Sequence, residues 1–107
     1  MEFTFIVLQQ FLYGIFLTTP LLIFLLSFII GLGQWVGHIE KWDKFTALYW
    51  SFITALTIGY GDIRPIEKHS KILSIIIGML GIMFTGIIVA ITVAVTGKAL
   101  KIVAGIE

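Results

Sequence analysis

Residues 43–66 read DKFTALYWSFITALTIGYGDIRPI. Asp43 is placed to cap a helix, since its carboxylate can accept the free amides of a first turn. The residues that follow carry Phe45, Tyr49, Trp50 and Phe52 and read as a short helix over 43–55. That is well short of the ~20 residues needed to cross a bilayer. Then comes Thr57-Ile58-Gly59-Tyr60-Gly61-Asp62, and the chain turns at Pro65. A half-length apolar helix followed by glycine-interrupted backbone reads as a re-entrant segment. Irregular backbone at membrane depth persists only where it is buried in protein or lines a water-filled path. The stretch therefore points to a pore or a transport site.

The flanking sequence agrees. The chain has 107 residues, 59% of them hydrophobic and 12% charged, with mean hydropathy +1.09. A soluble domain is roughly 25% charged, so a cytosolic globular enzyme is excluded. The net charge of +1 supplies no basic surface for nucleic acid. There is no cysteine, hence no disulfide and no thiolate metal site. Charge is confined to Glu2, to a central band from Glu40 to Lys71, and to Lys98, Lys101 and Glu107. The two uncharged gaps are each long enough for a membrane helix.

The first gap exceeds one span. Thr18-Thr19-Pro20 lies inside it, and Thr caps helices while Pro favours the first helical position. The expected organisation is an N-terminal interfacial helix over 1–19 and an outer helix over 20–38. The alternative is one long tilted helix kinked at Pro20. A secretory leader is discounted, because Glu2 is negative and no Lys or Arg precedes Lys41. An inner helix is expected over 67–97, carrying Gly78, Gly81, Gly86 and Gly97. No Arg-rich membrane helix is present, which excludes an S4-type voltage sensor in this chain.

Thr57-Ile58-Gly59-Tyr60-Gly61, followed by Asp62, resembles the selectivity-filter signature of potassium channels. Outer helix, aromatic pore helix, filter and inner helix also occur in the order of the two-transmembrane prokaryotic potassium channel pore. The resemblance covers about residues 20–97. It implies an all-α membrane protein with a single pore domain, a filter at 57–61 and assembly as a homotetramer. Backbone carbonyls of Thr57, Ile58, Gly59 and Tyr60 would replace the water shell of K+. Gly59 and Gly61 lack Cβ and can leave the usual φ/ψ regions cheaply. Ile58 and Tyr60 would face away from the ion, with Tyr60 braced by Tyr49 and Trp50. The fit to this family also implies multi-pass insertion in the cell membrane, termini cytoplasmic and filter mouth outside. The positive-inside rule argues the reverse, since the central band holds five of the seven Lys and Arg; its acidic residues nearly neutralise it, so the resemblance is preferred. K+ is the permeant ion and no cofactor is expected. Many relatives continue into a cytoplasmic ligand-sensing domain, here beyond Glu107; the other expectation is that the natural protein is this small.

Several positions refine the expectation. Some relatives carry a Glu four residues before the filter Thr that pairs with the Asp after it; here it is Ile53, so Asp62 must find an aromatic donor, Tyr49 or Trp50. Gly81 falls at the inner-helix glycine where relatives are thought to bend, although Gly78 and Gly86 flank it. Helical spacing groups Ile82, Thr85, Gly86 and Val89 toward the pore, with Ala90 and Val93 at the cytoplasmic end. Converging Val89 and Val93 would close the pore by dewetting. No acidic residue lies between Lys71 and Lys98, so inward rectification should be weak. His38 and His69 read as interface residues. Three alternatives fit less well: a non-selective cation channel on the same fold, which the filter Tyr60 disfavours; a potassium-transporter subunit, which would carry several degenerate pore loops; and a small hole-forming protein, which leaves residues 57–62 unexplained.

Arg64 stands where relatives often hold an aromatic that binds quaternary ammonium by cation–π contact. External tetraethylammonium should therefore block weakly, and Arg64→Tyr should strengthen the block severalfold. A blocking concentration that Arg64→Tyr leaves unmoved would overturn the placement of Arg64 at the mouth.

Overall fold

A computed structural model describes residues 2–105; Met1, Ile106 and Glu107 lie outside it, and with them the point beyond which a sensing domain is expected. Three helices follow one another: α1 (Glu2–Glu40), α2 (Lys44–Ala55) and α3 (Lys68–Ala104). α1 and α3 are both long and apolar enough to cross a membrane. They pack against each other along their length, and α2 is wedged between them at one end. The molecule measures 57 × 25 × 20 Å.

α1 corrects the division at Pro20. Residues 1–19 and 20–38 do not form an interfacial helix and a separate outer helix; one helix of 39 residues runs through Pro20. Thr18 and Thr19 do not cap a new start. Their hydroxyls donate back to the carbonyls of Gly14 (3.0 Å) and Ile15 (3.2 and 2.8 Å). Pro20 removes the amide that the Phe16 carbonyl would accept, and the Thr hydroxyls bond the carbonyls of the two residues before Phe16, so the helix runs on with one bond missing. Packing supplies the rest of the reason. A Cβ on Gly14 would stand 2.8 Å from Cγ2 of Ile91, so the N-terminal half of α1 lies close against α3.

α1 ends where Lys41 turns into the left-handed region (φ 63) and the Trp42 amide donates to the Gly37 carbonyl at 2.8 Å. This is the six-to-one bond of a Schellman close, made here without glycine. Asp43 caps α2 as expected, accepting from the Thr46 amide at 3.2 Å. Hydrogen bonds from the Thr46 side chain and backbone hold the Asp43 carboxyl below the usual carboxylate range. α3 continues past Gly97, contrary to the expected end there, because a lone glycine costs a helix interior only ~1 kcal/mol. The stop is Gly105, left-handed at φ 71.

The core lies where the three helices meet. Ile29 and Val36 of α1, Trp50 and Ala55 of α2 and Ile77 of α3 are buried together, with Leu32, Trp42, Ile63, Leu73, Leu80 and Phe84 around them. Lipid tails are as apolar as these side chains, so the helices are held by close packing rather than by escape from water. Glycines permit that closeness. A Cβ on Gly37 would sit 2.5 Å from the Ala47 Cβ, and one on Gly33 would collide with the Ser51 hydroxyl.

Gly37→Ala should therefore destabilise the protein by about 1–3 kcal/mol, the usual range for overpacking. Adding Ala47→Gly should return it close to wild type, since the clashing methyl is gone. Thermal unfolding in detergent micelles would read both; a destabilisation that the second change does not relieve would exclude this contact as the cause.

Candidate functional site

The segment from Leu56 to Asp62 leaves the end of α2 as exposed, irregular backbone. φ is positive at Thr57 (61), Gly59 (62) and Gly61 (81). Left-handed residues thus alternate with Ile58 and Tyr60. Such alternation swings successive peptide planes so that their carbonyls can face one side, an arrangement closed to a plain strand. Glycine takes these angles freely. Thr57 does not: a β-branched residue there is strained by ~1–3 kcal/mol and needs surrounding structure to hold it. The glycines were legible in the sequence. The strain at Thr57 was missed, although counting back by two from Gly61 and Gly59 arrives at it.

The hydrogen bonds divide the two faces of this ribbon. The amides of Ile58 (2.9 Å) and Gly59 (3.3 Å) both donate to the Ile53 carbonyl, and the Thr57 amide donates to Thr54 at 3.2 Å. The amides therefore turn back onto the last turn of α2. Among the described residues, no donor reaches the carbonyls of Thr57, Ile58, Gly59 or Tyr60. The first three residues of the ribbon, Thr57 to Gly59, are tied down through their amides, and the carbonyls from Thr57 to Tyr60 are left bare. The C-terminal, partly negative end of α2 lies directly behind them.

The mouth end is fastened twice. The Tyr49 hydroxyl donates to Asp62 Oδ2 at 3.0 Å. That bond needs the phenol proton, so it raises the Tyr49 pKa above its ordinary value, and desolvation and the Asp62 charge act the same way. The Ile63 amide donates to Asp62 Oδ1 at 3.1 Å. The second fastening was not foreseen. Glu40, at the end of α1, accepts the amides of Ile66 and Glu67, each at 2.9 Å, and so ties the outer helix to the turn that starts α3. An acid at the end of an apolar helix opposite a Pro-containing turn was the available signal. Arg64 shares a surface depression with Asp62, Pro65, Ile66 and Lys71.

Trp50 sits apart from Asp62 within the chain. It is 5% exposed and packs on Trp42 with ring centroids 5.4 Å apart, inside the three-helix core. Among the described residues the donors to the Asp62 carboxylate are Tyr49 and Ile63, not the indole, and Tyr60 is 69% exposed within the single chain. Trp50 is needed where α2 meets α1 and α3, and Tyr49, one residue earlier, points the other way.

On α3, Ile82, Thr85, Gly86, Val89, Ala90 and Val93 are all exposed and lie together on a face that neither α1 nor α2 covers. Thr92 bonds back to the Ile88 carbonyl at 2.9 Å, whereas the Thr85 hydroxyl makes no bond among the described residues. Gly81 is apart from this set: it is buried against Ala55.

A bent-back half-helix, a ribbon with one bare row of carbonyls and two membrane-length helices define a channel-forming chain. A family model described as "Ion channel" matches residues 11–98, and the chain belongs to that family. It is a membrane-embedded transport protein. It is 36% identical over 53 residues to TWiK family of potassium channels protein 7 of Caenorhabditis elegans, covering 50% of this chain and 10% of that protein. It is 36% identical over 62 residues to potassium channel subfamily K member 2 of Homo sapiens, covering 58% of this chain and 15% of that one. The chain thus spans only 10–15% of the length of these relatives. No solved structure gives a significant match.

Tyr49→Phe keeps the ring and deletes the donor to Asp62. Single-channel records should show shorter openings at an unchanged reversal potential, because the mouth end is freed while the carbonyl rows keep their spacing. Openings of wild-type length would mean that the bond holds nothing that conduction needs.

Proposed function

We propose that the chain is one quarter of a potassium-selective pore. The observation that carries this is the alternation of φ at Thr57, Gly59 and Gly61 together with the unpartnered carbonyls of Thr57 to Tyr60. K+ sheds its water only if oxygens of equal quality replace it on every side. One chain offers a single column of such oxygens. Four copies about an axis along the membrane normal close each row into a ring. Thr57, Ile58, Gly59 and Tyr60 then supply the K+ sites, with Gly61 ending the ribbon. The side chains of Ile58 and Tyr60, exposed in the single chain, are covered by the neighbouring copies. The two relatives carry potassium channel in their names, which supports the same ion.

Below the filter, the uncovered face of α3 lines the path. Thr85 offers its hydroxyl to the hydrated ion, and Val89 and Val93 form the apolar constriction that closes by dewetting. The filter mouth with Arg64 faces outward and the far ends of α1 and α3 face the cytoplasm. A ligand-sensing ring joined beyond Glu107 would act by pulling on α3. Asp62, Tyr49 and Glu40 hold the mouth and take no part in binding the ion. A non-selective pore on this fold is the lesser reading, since Tyr60 and all four carbonyl levels are present.

Reconstituted in a planar bilayer with K+ on one side and Na+ on the other, the protein should reverse near the K+ equilibrium potential. A reversal near zero would refute selectivity and leave the non-selective pore.

A further inference from the structure

Three small residues of α2, Ala47, Ser51 and Ala55, recur every four residues on one buried face, and each rests on a glycine of a long helix. The three seats differ in kind. At Gly37 and Gly33 an added Cβ would meet side-chain atoms, the Ala47 Cβ and the Ser51 Oγ and Cβ. At Gly81 it would meet backbone: the Ala55 carbonyl oxygen, its Cα at 2.6 Å and its carbonyl carbon at 2.7 Å. The Ser51 hydroxyl can turn aside, and the Ala47 methyl can be taken away by a change to glycine. Backbone one peptide from Leu56 cannot move without carrying Thr57 with it. The other glycines inside α3, Gly78, Gly86 and Gly97, have nothing within 4 Å of an added Cβ.

We infer that Gly81 is a positioning residue for the carbonyl ribbon, and that the inner helix bends at Gly86. Ala55 is the last residue of α2 and is 4% exposed. The bare Cα of Gly81 sets how deep that end sinks between the helices, and so where the carbonyls from Thr57 onward stand. A bend at Gly81 would drag its backbone off Ala55 at every opening and disturb the ion sites. A bend at Gly78 would carry the seat with it, because Gly78 lies on the mouth side of Gly81. Gly86 lies beyond the seat, unobstructed, between it and Val89 and Val93. Bending there moves the constriction and leaves the filter still. The inference rests on the reading of Thr57 to Tyr60 as K+ sites.

The test compares wild type, Gly81→Ala and Gly86→Ala as purified channels in planar bilayers. Both the reversal potential under K+ against Na+ and the open probability are recorded. Gly81→Ala should lower the K+ over Na+ permeability ratio about tenfold or more, which is ~1.4 kcal/mol of discrimination. Gly86→Ala should keep the ratio and reduce the open probability. A wild type that reverses near zero would defeat the filter reading itself. A selective wild type whose Gly81→Ala form stays equally selective and changes only in opening would overturn the inference and return the hinge to Gly81. Should the Gly81→Ala tetramer fail to assemble, a tandem tetramer with one altered subunit decides: lost selectivity supports the seat and retained selectivity overturns it. Adding Ala55→Gly should not rescue Gly81→Ala, since the obstructing atoms are backbone; a rescue would assign the effect to side-chain crowding and overturn the inference.

Discussion

Inside a bilayer no water waits to bond a bare backbone group, so irregular chain at that depth must be tied to protein or open onto a wet path. Every unusual feature between α2 and α3 answers to this constraint. The amides of Thr57, Ile58 and Gly59 are tied back to α2, while the carbonyls of Thr57 to Tyr60 have no partner among the described residues. Those oxygens call for a polar occupant, and on the proposed reading it is a cation passing between four copies. The strain of a left-handed Thr57 is tolerable because α2 holds its amide and the backbone before it.

The constraint passes from the ribbon to its supports. A row of carbonyls that must match an ion cannot drift, so α2 is wedged between two membrane helices at glycine contacts, with Trp50 filling the junction. Packing by small residues is the available cohesive force, since burial of apolar surface gains little between helices already in hydrocarbon. At the mouth, where water returns, polar fastenings take over: Tyr49 on Asp62, and Glu40 on the turn before α3. Close packing where it is dry and hydrogen bonds where it is wet hold the two ends of one ribbon.

The sequence alone determined the membrane class, the half-length helix, the re-entrant ribbon and the two spans, because each follows from local composition: charge-free stretches of sufficient length, an Asp cap, glycines at every second position. It also grouped Thr85, Gly86, Val89 and Val93 on one face, which helical periodicity alone supplies. Only the tertiary structure decided the rest. Pro20 signals a helix start when read locally, but α1 runs through it with its N-terminal half held close against α3, Gly14 on Ile91. Trp50 and Tyr49 are neighbouring aromatics with equal local claims on Asp62, and only the three-helix junction sends one to the core and the other to the mouth. Gly81 and Gly86 are alike as residues; the presence of the Ala55 backbone beside one and open space beside the other is a fact about distant chain brought together, which no local pattern encodes.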